Sequence, residues 1–148
     1  MDFEPQDPNY QQKVRDSFSR QGFLTTIGAE LSRLEPGFCE LQLAYQESLT
    51  QQHRYFHAGV IGALGDTAGG YAAFSLMPAD SSVLTVEYKI NLMAPGDGDR
   101  LIARGRVLKA GRTLTICRVE VFVLKNRTEK MCAALQMTLM TLLGRPDY

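Results

Sequence analysis

The sequence predicts an α+β domain in which a six-stranded antiparallel sheet accompanies one main helix. Two observations predict it. Residues 58–76, AGVIGALGDTAGGYAAFSL, are long for a strand and poor in β-branched residues, which favours a helix. Around them lie six runs that alternate apolar with polar residues, two before and four after, joined by turn-like segments.

In chain order, residues 1–9 carry Pro5 and Pro8 among polar groups and read as an arm. Residues 10–21 form a short helix on the spacing of Tyr10, Val14 and Phe18 at i, i+4 and i+8. Residues 1–22 are therefore an N-terminal arm and short helix, and 23–145 a single domain without repeats. From Phe23 the period changes. Ile27, Ala29 and Leu31 alternate, Pro36-Gly37 signals a turn, and Phe38 to Tyr45 alternates again, so 23–45 reads as a hairpin. Residues 46–56 are polar and irregular. Met77-Pro78 ends the helical segment.

Four strands follow. Residues 83–92 place Leu84, Val86, Tyr88, Ile90 and Leu92 on one face, with Thr85, Glu87, Lys89 and Asn91 on the other. Residues 101–108 alternate around Arg104 and Arg106. Residues 113–124 set Cys117, Val119, Val121 and Val123 opposite Arg118 and Glu120. Residues 131–142 alternate weakly and carry Met131, Met137 and Met140, read as core. The links PGDGDR, AGR and KNRTEK are short, as an antiparallel meander requires.

Composition narrows the function. The 148 residues suit one domain, and 45% hydrophobic with 22% charged residues describes a globular protein able to bury a core unaided. Lys+Arg and Asp+Glu are 16 each, so the basic excess of a general nucleic-acid binder is absent. No apolar run approaches the ~20 residues of a membrane span. The acidic, polar start MDFEPQDPNYQQ has no basic stretch ahead of an apolar one, so no secretory signal is expected. Three scattered cysteines, Cys39, Cys117 and Cys132, do not make a disulfide framework. They fall in strand patterns and read as core. A reducing, cytoplasmic setting is expected.

The helical segment holds one charge, Asp66. At 100° per residue, the positions within ~60° of it are Gly59, Gly62, Ala63, Gly69, Gly70 and Ala73. All are small. Val60, Ile61, Leu64, Ala68 and Tyr71 lie opposite and can pack in a core. Each interior glycine weakens a helix by ~1 kcal/mol relative to alanine, so five of them imply close approach of a ligand or another backbone. A carboxylate in apolar surroundings tends toward a raised pKa and is a candidate general base.

His57 stands immediately before this helix. The first amides of a helix lack internal partners, so the Ala58 and Gly59 N–H groups are candidates to stabilise an oxyanion. His57 and Asp66 are nine residues apart, ~13 Å along a helix and ~180° around it, and cannot converge within one chain. A shared site requires a second subunit. His53 and His57 have a zinc-compatible i, i+4 spacing, but no HExxH or cysteine cluster accompanies them, and no metal is expected. There is no GK[ST] phosphate loop and no G-x-S-x-G elbow.

The run LTQQHRYFHAGVIGALGDTAGGYAA resembles the PaaI-like branch of the hotdog-fold acyl-CoA thioesterases, in which an amide side chain, an H-[GA]-G turn and an acid nine residues after the histidine recur. VLTVEYKINLMAPG and VLKAGRTLTICRVEV resemble that family's third strand and its K-x-G-[RK]-T hairpin, so the similarity spans roughly 23–142. It implies a six-stranded antiparallel sheet wrapped around one long helix, in a homodimer that often pairs into a homotetramer.

Carried over position by position, the resemblance makes Asp66 general base or nucleophile, Ala58 the oxyanion donor and His57 the turn-shaping histidine. Gln51, or Gln52 one residue later, becomes the positioning amide, and Thr85 a hydroxyl near the acid. Gly59 and the hairpin residues Lys109, Gly111, Arg112 and Thr113 become expected contacts to coenzyme A, present as part of the substrate and not as a cofactor. Two positions depart from the family pattern. Ala58 replaces the commoner glycine, and Arg54 stands where many members have glycine.

The function expected is hydrolysis of an acyl-CoA thioester to a free acid and CoA. A non-catalytic acyl-CoA-binding module and a hotdog dehydratase or hydratase are the alternatives. The D-x-N-P-x-H pattern of one dehydratase branch is absent.

Overall fold

A computed structural model describes residues 3–145 and 147; residues 1 and 2 of the expected arm lie outside the described residues. The elements are α1 (Tyr10–Ser19), α2 (Gly22–Ile27), β1 (Ala29–Glu35), β2 (Phe38–Ala44), α3 (Ala58–Phe74), β3 (Ser81–Leu92), β4 (Arg100–Ala110), β5 (Leu114–Lys125) and β6 (Thr128–Leu143). The strands form one antiparallel sheet ordered β1-β2-β4-β5-β6-β3. α3 touches every strand of it. This is the α+β class the alternation predicts, in the hotdog arrangement of a sheet wrapped around a helix.

Residue chemistry accounts for how closely helix and sheet approach. Leu64, Ala68, Ala72 and Phe74 of α3 are fully buried, against a sheet face built from Leu41, Leu101, Val119, Val121 and Leu139. A Cβ at Gly69 would fall onto the Met137 sulfur, and one at Gly105 of β4 would fall onto the Ala68 carbonyl oxygen. Gly105 lets the strand backbone rest almost on the helix backbone, and Gly69 leaves room for the Met137 side chain. The small-residue face is therefore not uniformly open. Gly62, Gly69 and Ala73 are buried, and among these glycines Gly70 alone has open space where a Cβ would stand.

The strand reading fails between Phe23 and Gly28, where the chain forms α2. Leu24 and Ile27 are the buried positions of this turn, a helical i, i+3 pair. Gly28 ends it with φ +77°, the left-handed conformation that glycine adopts without penalty, and β1 begins at Ala29.

A second difference lies in β3. Its ladder with β6 runs Thr85↔Leu139 and then Glu87↔Thr138, so Val86 is a bulge. An extra residue inverts the alternation on one side of it. Thr85 consequently shares the helix-facing side with Tyr88 and Ile90, while Leu84 turns to the face of Glu87. The single apolar face expected over 83–92 does not exist.

The arm packs onto this core. Asp7 is buried beside Lys13, at 3.4 Å, and Val14 of α1 is fully buried. No helix among the described residues is long and apolar enough to cross a membrane.

Candidate active site

α3 begins at His57, whose backbone is extended at φ −63° and ψ 140° and whose Nδ1 accepts the Gly59 N–H at 2.9 Å. This cap satisfies one of the free amides at the helix start. Gly59 is therefore not the oxyanion donor that the spacing allowed. The Ala58 N–H has no hydrogen-bond partner among the described residues. Ala58 also adopts no positive φ, so the methyl group replacing glycine is accommodated in ordinary helical geometry.

Ala58 lines a cleft of about 500 Å³, together with Gln51, Tyr55, Ile61, Leu92 and Gly96 among others. Gln51 is half-buried there. Its Oε1 accepts the His53 N–H, and its carbonyl accepts the Arg54 N–H at 2.8 Å, closing a tight turn. Gln52 is exposed on that turn and does not line the cleft, so the two amide candidates separate. His53 and His57 belong to no group of metal-binding side chains among the described residues.

Arg54 has φ +64°. The loop thus keeps a glycine-like backbone while carrying a side chain that disfavours it by roughly 1–2 kcal/mol. Arg54→Gly is expected to stabilise the protein by roughly 0.5–1 kcal/mol, the relief of that strain less the added freedom of the unfolded chain. Denaturant unfolding measures it. An unchanged or lower midpoint would mean that the arginine side chain holds the loop by contacts that offset its backbone.

Asp66 lies two and a half turns further on, in a separate cavity of about 360 Å³ with Gln21, Thr67, Gly70, Tyr71, Val83 and Thr85 among its walls. Its Oδ1 accepts a hydrogen bond from Thr85 Oγ1 at 2.7 Å. Partial burial raises its pKa above the ordinary 3.8, and the Thr85 hydrogen bond opposes part of that rise. Only the Val86 bulge gives Thr85 this position, because strict alternation would point it away from the helix.

The two cavities have no lining residue in common. Gln51, His57 and Ala58 stand at the start of α3, and Asp66 with Thr85 at its middle. The remaining site candidates lie at its other end. Gly111 and Arg112, in the turn between β4 and β5, border a small cleft with Met77 and Pro78, which follow α3. Lys109 and Arg112 are exposed, and the Thr113 carbonyl accepts the Thr141 N–H at 2.9 Å. α3 has 17 residues and is about 25 Å long, so the hairpin and the Ala58 amide of one chain lie far apart.

Gln21 and Tyr71 are cavity residues that the sequence reading did not select as polar groups of the site. Only Gln21 carried a sequence signal, a polar spacing of the kind that usually faces water. Lys13, Ser17 and Gln21 recur every four residues beside the apolar stripe Tyr10, Val14 and Phe18. The three cysteines are buried, and burial holds their thiols high, Cys117 at about 12 and Cys132 at about 11, which removes them as nucleophiles.

Comparison with known proteins shows the family of the chain. The profile of the Thioesterase superfamily matches residues 53–130. A solved thioesterase family protein from Silicibacter pomeroyi superposes with a TM-score of 0.90 at 46% identity, covering 91% of this chain and 99% of that one. The PaaI protein of Escherichia coli shares the fold, with a TM-score of 0.82 at 20% identity over 93% of this chain and 96% of its own. A 1,4-dihydroxy-2-naphthoyl-CoA hydrolase of Listeria monocytogenes is 25% identical over 118 residues, 80% of this chain and 94% of that protein. The chain belongs to the thioesterase superfamily and is a hotdog-fold hydrolase acting on thioester bonds.

Proposed function

We propose that the protein hydrolyses acyl-CoA thioesters to a free acid and CoA at sites shared between two copies of the chain. One observation carries this reading. A half-buried carboxylate and a free helix-start amide, the two groups acyl transfer needs, sit in different cavities of one chain. Two antiparallel α3 helices bring Asp66 of one copy to Ala58 of the other.

The exposed edge of the sheet supports that assembly. β3 is an end strand, and Leu84, Val86, Tyr88 and Leu92 along it are all more than 40% exposed. A long apolar edge strand is a template for pairing with a second chain. β3-to-β3 pairing extends the sheet across the dimer, and a tetramer follows by pairing of dimers.

In this site the Ala58 N–H, at the positive end of α3, holds the thioester oxygen as negative charge develops on it. Asp66 takes the proton of a water that attacks the carbonyl carbon, or attacks it directly. Thr85 fixes the carboxylate, and Gln51 orients water or the thioester group. The C–S bond then breaks, and the CoA thiolate takes a proton as it leaves; where Asp66 has attacked directly, a water then cleaves the resulting acyl anhydride to release the acid and restore the carboxylate. Thiol release measured across short, long and aromatic acyl-CoAs tests the reading, and absence of release from every class would overturn it. Light scattering tests the assembly, which an active monomer at assay concentration would refute.

The hairpin Lys109, Gly111, Arg112 and Thr113 carries two exposed cationic side chains and serves as the grip for the nucleotide phosphates, with Gly59 beside the pantetheine. Arg112→Ala is expected to weaken acyl-CoA substrates by about 10-fold or more while sparing acyl-pantetheines, which lack the nucleotide. Equal losses on both, read as kcat/KM, would place Arg112 away from the nucleotide.

A further inference from the structure

The sheet has two edges, and they differ. β1 has seven residues, of which Glu30, Arg33 and Glu35 are charged and exposed. Short, charged edges resist pairing. β3 has 12 residues and exposes Leu84, Val86, Tyr88 and Leu92. It is the edge open to a second copy of the chain, and symmetry restricts how that copy can pair. Facing residues of two strands must point to the same side of the sheet. A two-fold axis between identical antiparallel strands therefore runs through one residue, which faces itself, and never between two.

α3 gives the level of that residue. When Ala58 of one copy stands against Asp66 of the other, two antiparallel helices are centred on the position midway, Gly62. Gly62 is on the Asp66 face of α3. A Cβ there would lie 3.4 Å from Tyr88 Oη and 4.0 Å from Ile90 Cδ1. Tyr88 and Ile90 face Met137 and Leu135, both buried, and so point to the helix side of β3. The residue between them is Lys89.

β3 gives the same level from different groups. Thr85 donates to Asp66, and Leu92 borders the Ala58 cleft. One shared site brings Thr85 of one strand beside Leu92 of the other. Across the ladder these two face Leu139 and Ala133 of β6, and the β6 residue midway, Gln136, faces Lys89. Counting along β6 absorbs the Val86 bulge. Helix and strand could have demanded different axes, and they demand one.

We propose that β3 pairs with β3 of a second copy in a register centred on Lys89, with the two α3 helices centred on Gly62. This rests on the shared-site reading above. On the helix side, Tyr88 of each copy then faces Ile90 of the other, and these four side chains form a floor between the two active sites. On the outer side, Lys89 of each copy lies diagonal to Glu87 of the other, an opposite charge.

Cysteine pairing reads the register. Facing residues of antiparallel strands have Cα atoms about 4.5–5.5 Å apart, within the span of a disulfide. Residues four positions out of register stand about 13 Å apart along the strand and cannot link. The three native cysteines are buried. Glu87, Lys89 and Asn91 are exposed. On mild oxidation with diamide, Lys89→Cys is expected to run as a linked dimer on a non-reducing gel and to keep parental turnover. Glu87→Cys and Asn91→Cys should each stay unlinked alone and link when refolded together. Tyr88→Cys refolded with Ile90→Cys should link as well. Hydrogen-bonded and non-hydrogen-bonded pairs alternate along the strand, so one of these combinations has the closer geometry even where Lys89→Cys does not assemble. Assembled variants that link in none of these combinations overturn the proposal. So does self-linking of Glu87→Cys, Tyr88→Cys, Ile90→Cys or Asn91→Cys alone, or an inactive linked dimer of an active parent. Thiol release by the parent reads the other question separately. Turnover with links at other positions fails the register alone, whereas the expected links without hydrolysis of any acyl-CoA fail the hydrolytic reading and leave the interface supported.

Discussion

Asp66→Asn is expected to fold and assemble as the parent does and to lose at least ~100-fold in thioester turnover. Asparagine has nearly the shape of aspartate, and its amide oxygen can still accept the Thr85 hydrogen bond. It can neither take a proton nor form an acyl anhydride, so both versions of the mechanism fail. General-base assistance is typically worth about 10²–10⁴-fold, and a missing nucleophile costs more.

The same variant reports on the carboxylate's environment. Burial raises the Asp66 pKa, so folding favours the protonated form over the charged one. The charge therefore weakens the folded state at neutral pH. That penalty is absent below the unfolded value and fully present above the raised folded value. Asp66→Asn should melt higher than the parent at neutral pH, and the gap should close as pH falls through the folded pKa. In the parent, activity should drop on the acid side with an apparent pKa above the ordinary 3.8. Near-parental turnover in Asp66→Asn would remove this residue from the chemistry. A lower melting temperature at neutral pH would mean that Asp66 is held by compensating charge in the assembled protein.

The sheet and the central helix were legible because each rests on a pattern that burial enforces directly. Period-2 alternation in β5 puts Val119, Val121 and Val123 inside, and they are buried. What was not legible depends on single residues that interrupt a pattern. A bulge adds one residue without changing composition, so the run from Val83 to Leu92 reads as one uniform face. Thr85 was assigned to the polar side by periodicity and placed near the acid only by family resemblance. The bulge reconciles the two. Similarly, five glycines in α3 implied close approach, but the helix alone could not say to what. Gly105, on a strand much later in the chain, supplies the other half of that contact.

The site divides in the same manner. The candidates His57, Ala58 and Asp66 stand out in the sequence as a helix start and the one charge inside a helix, and the structure sets them at the start and the middle of α3. Gln21 does not stand out, because its partner Tyr71 is fifty residues away and the helical spacing that includes it is polar. A polar i, i+4, i+8 stripe usually faces water, and here it faces α3.

Ala58→Pro isolates the amide itself. Ala58 is the first residue of α3, where proline's fixed φ suits the helix and its missing N–H breaks no internal hydrogen bond. The preceding residue must be extended, and His57 already is, with ψ 140°. Gly59 keeps its cap from His57 Nδ1. The substitution thus removes one N–H and little else. It should leave folding and assembly intact and lower kcat by about 10²–10³-fold, the usual loss for one oxyanion donor. Mixing decides whether the site is shared. In a heterodimer of Ala58→Pro and Asp66→Asn chains, one site receives both lesions. The other combines an intact Ala58 with an intact Asp66 from the opposite chain. Equal amounts of the two inactive variants, unfolded and refolded together, should therefore recover about a quarter of parental activity, since half the dimers are mixed and each holds one working site of two. No recovery despite mixed dimers, verified by tagging one chain, would mean that Ala58 and Asp66 act within the same protomer.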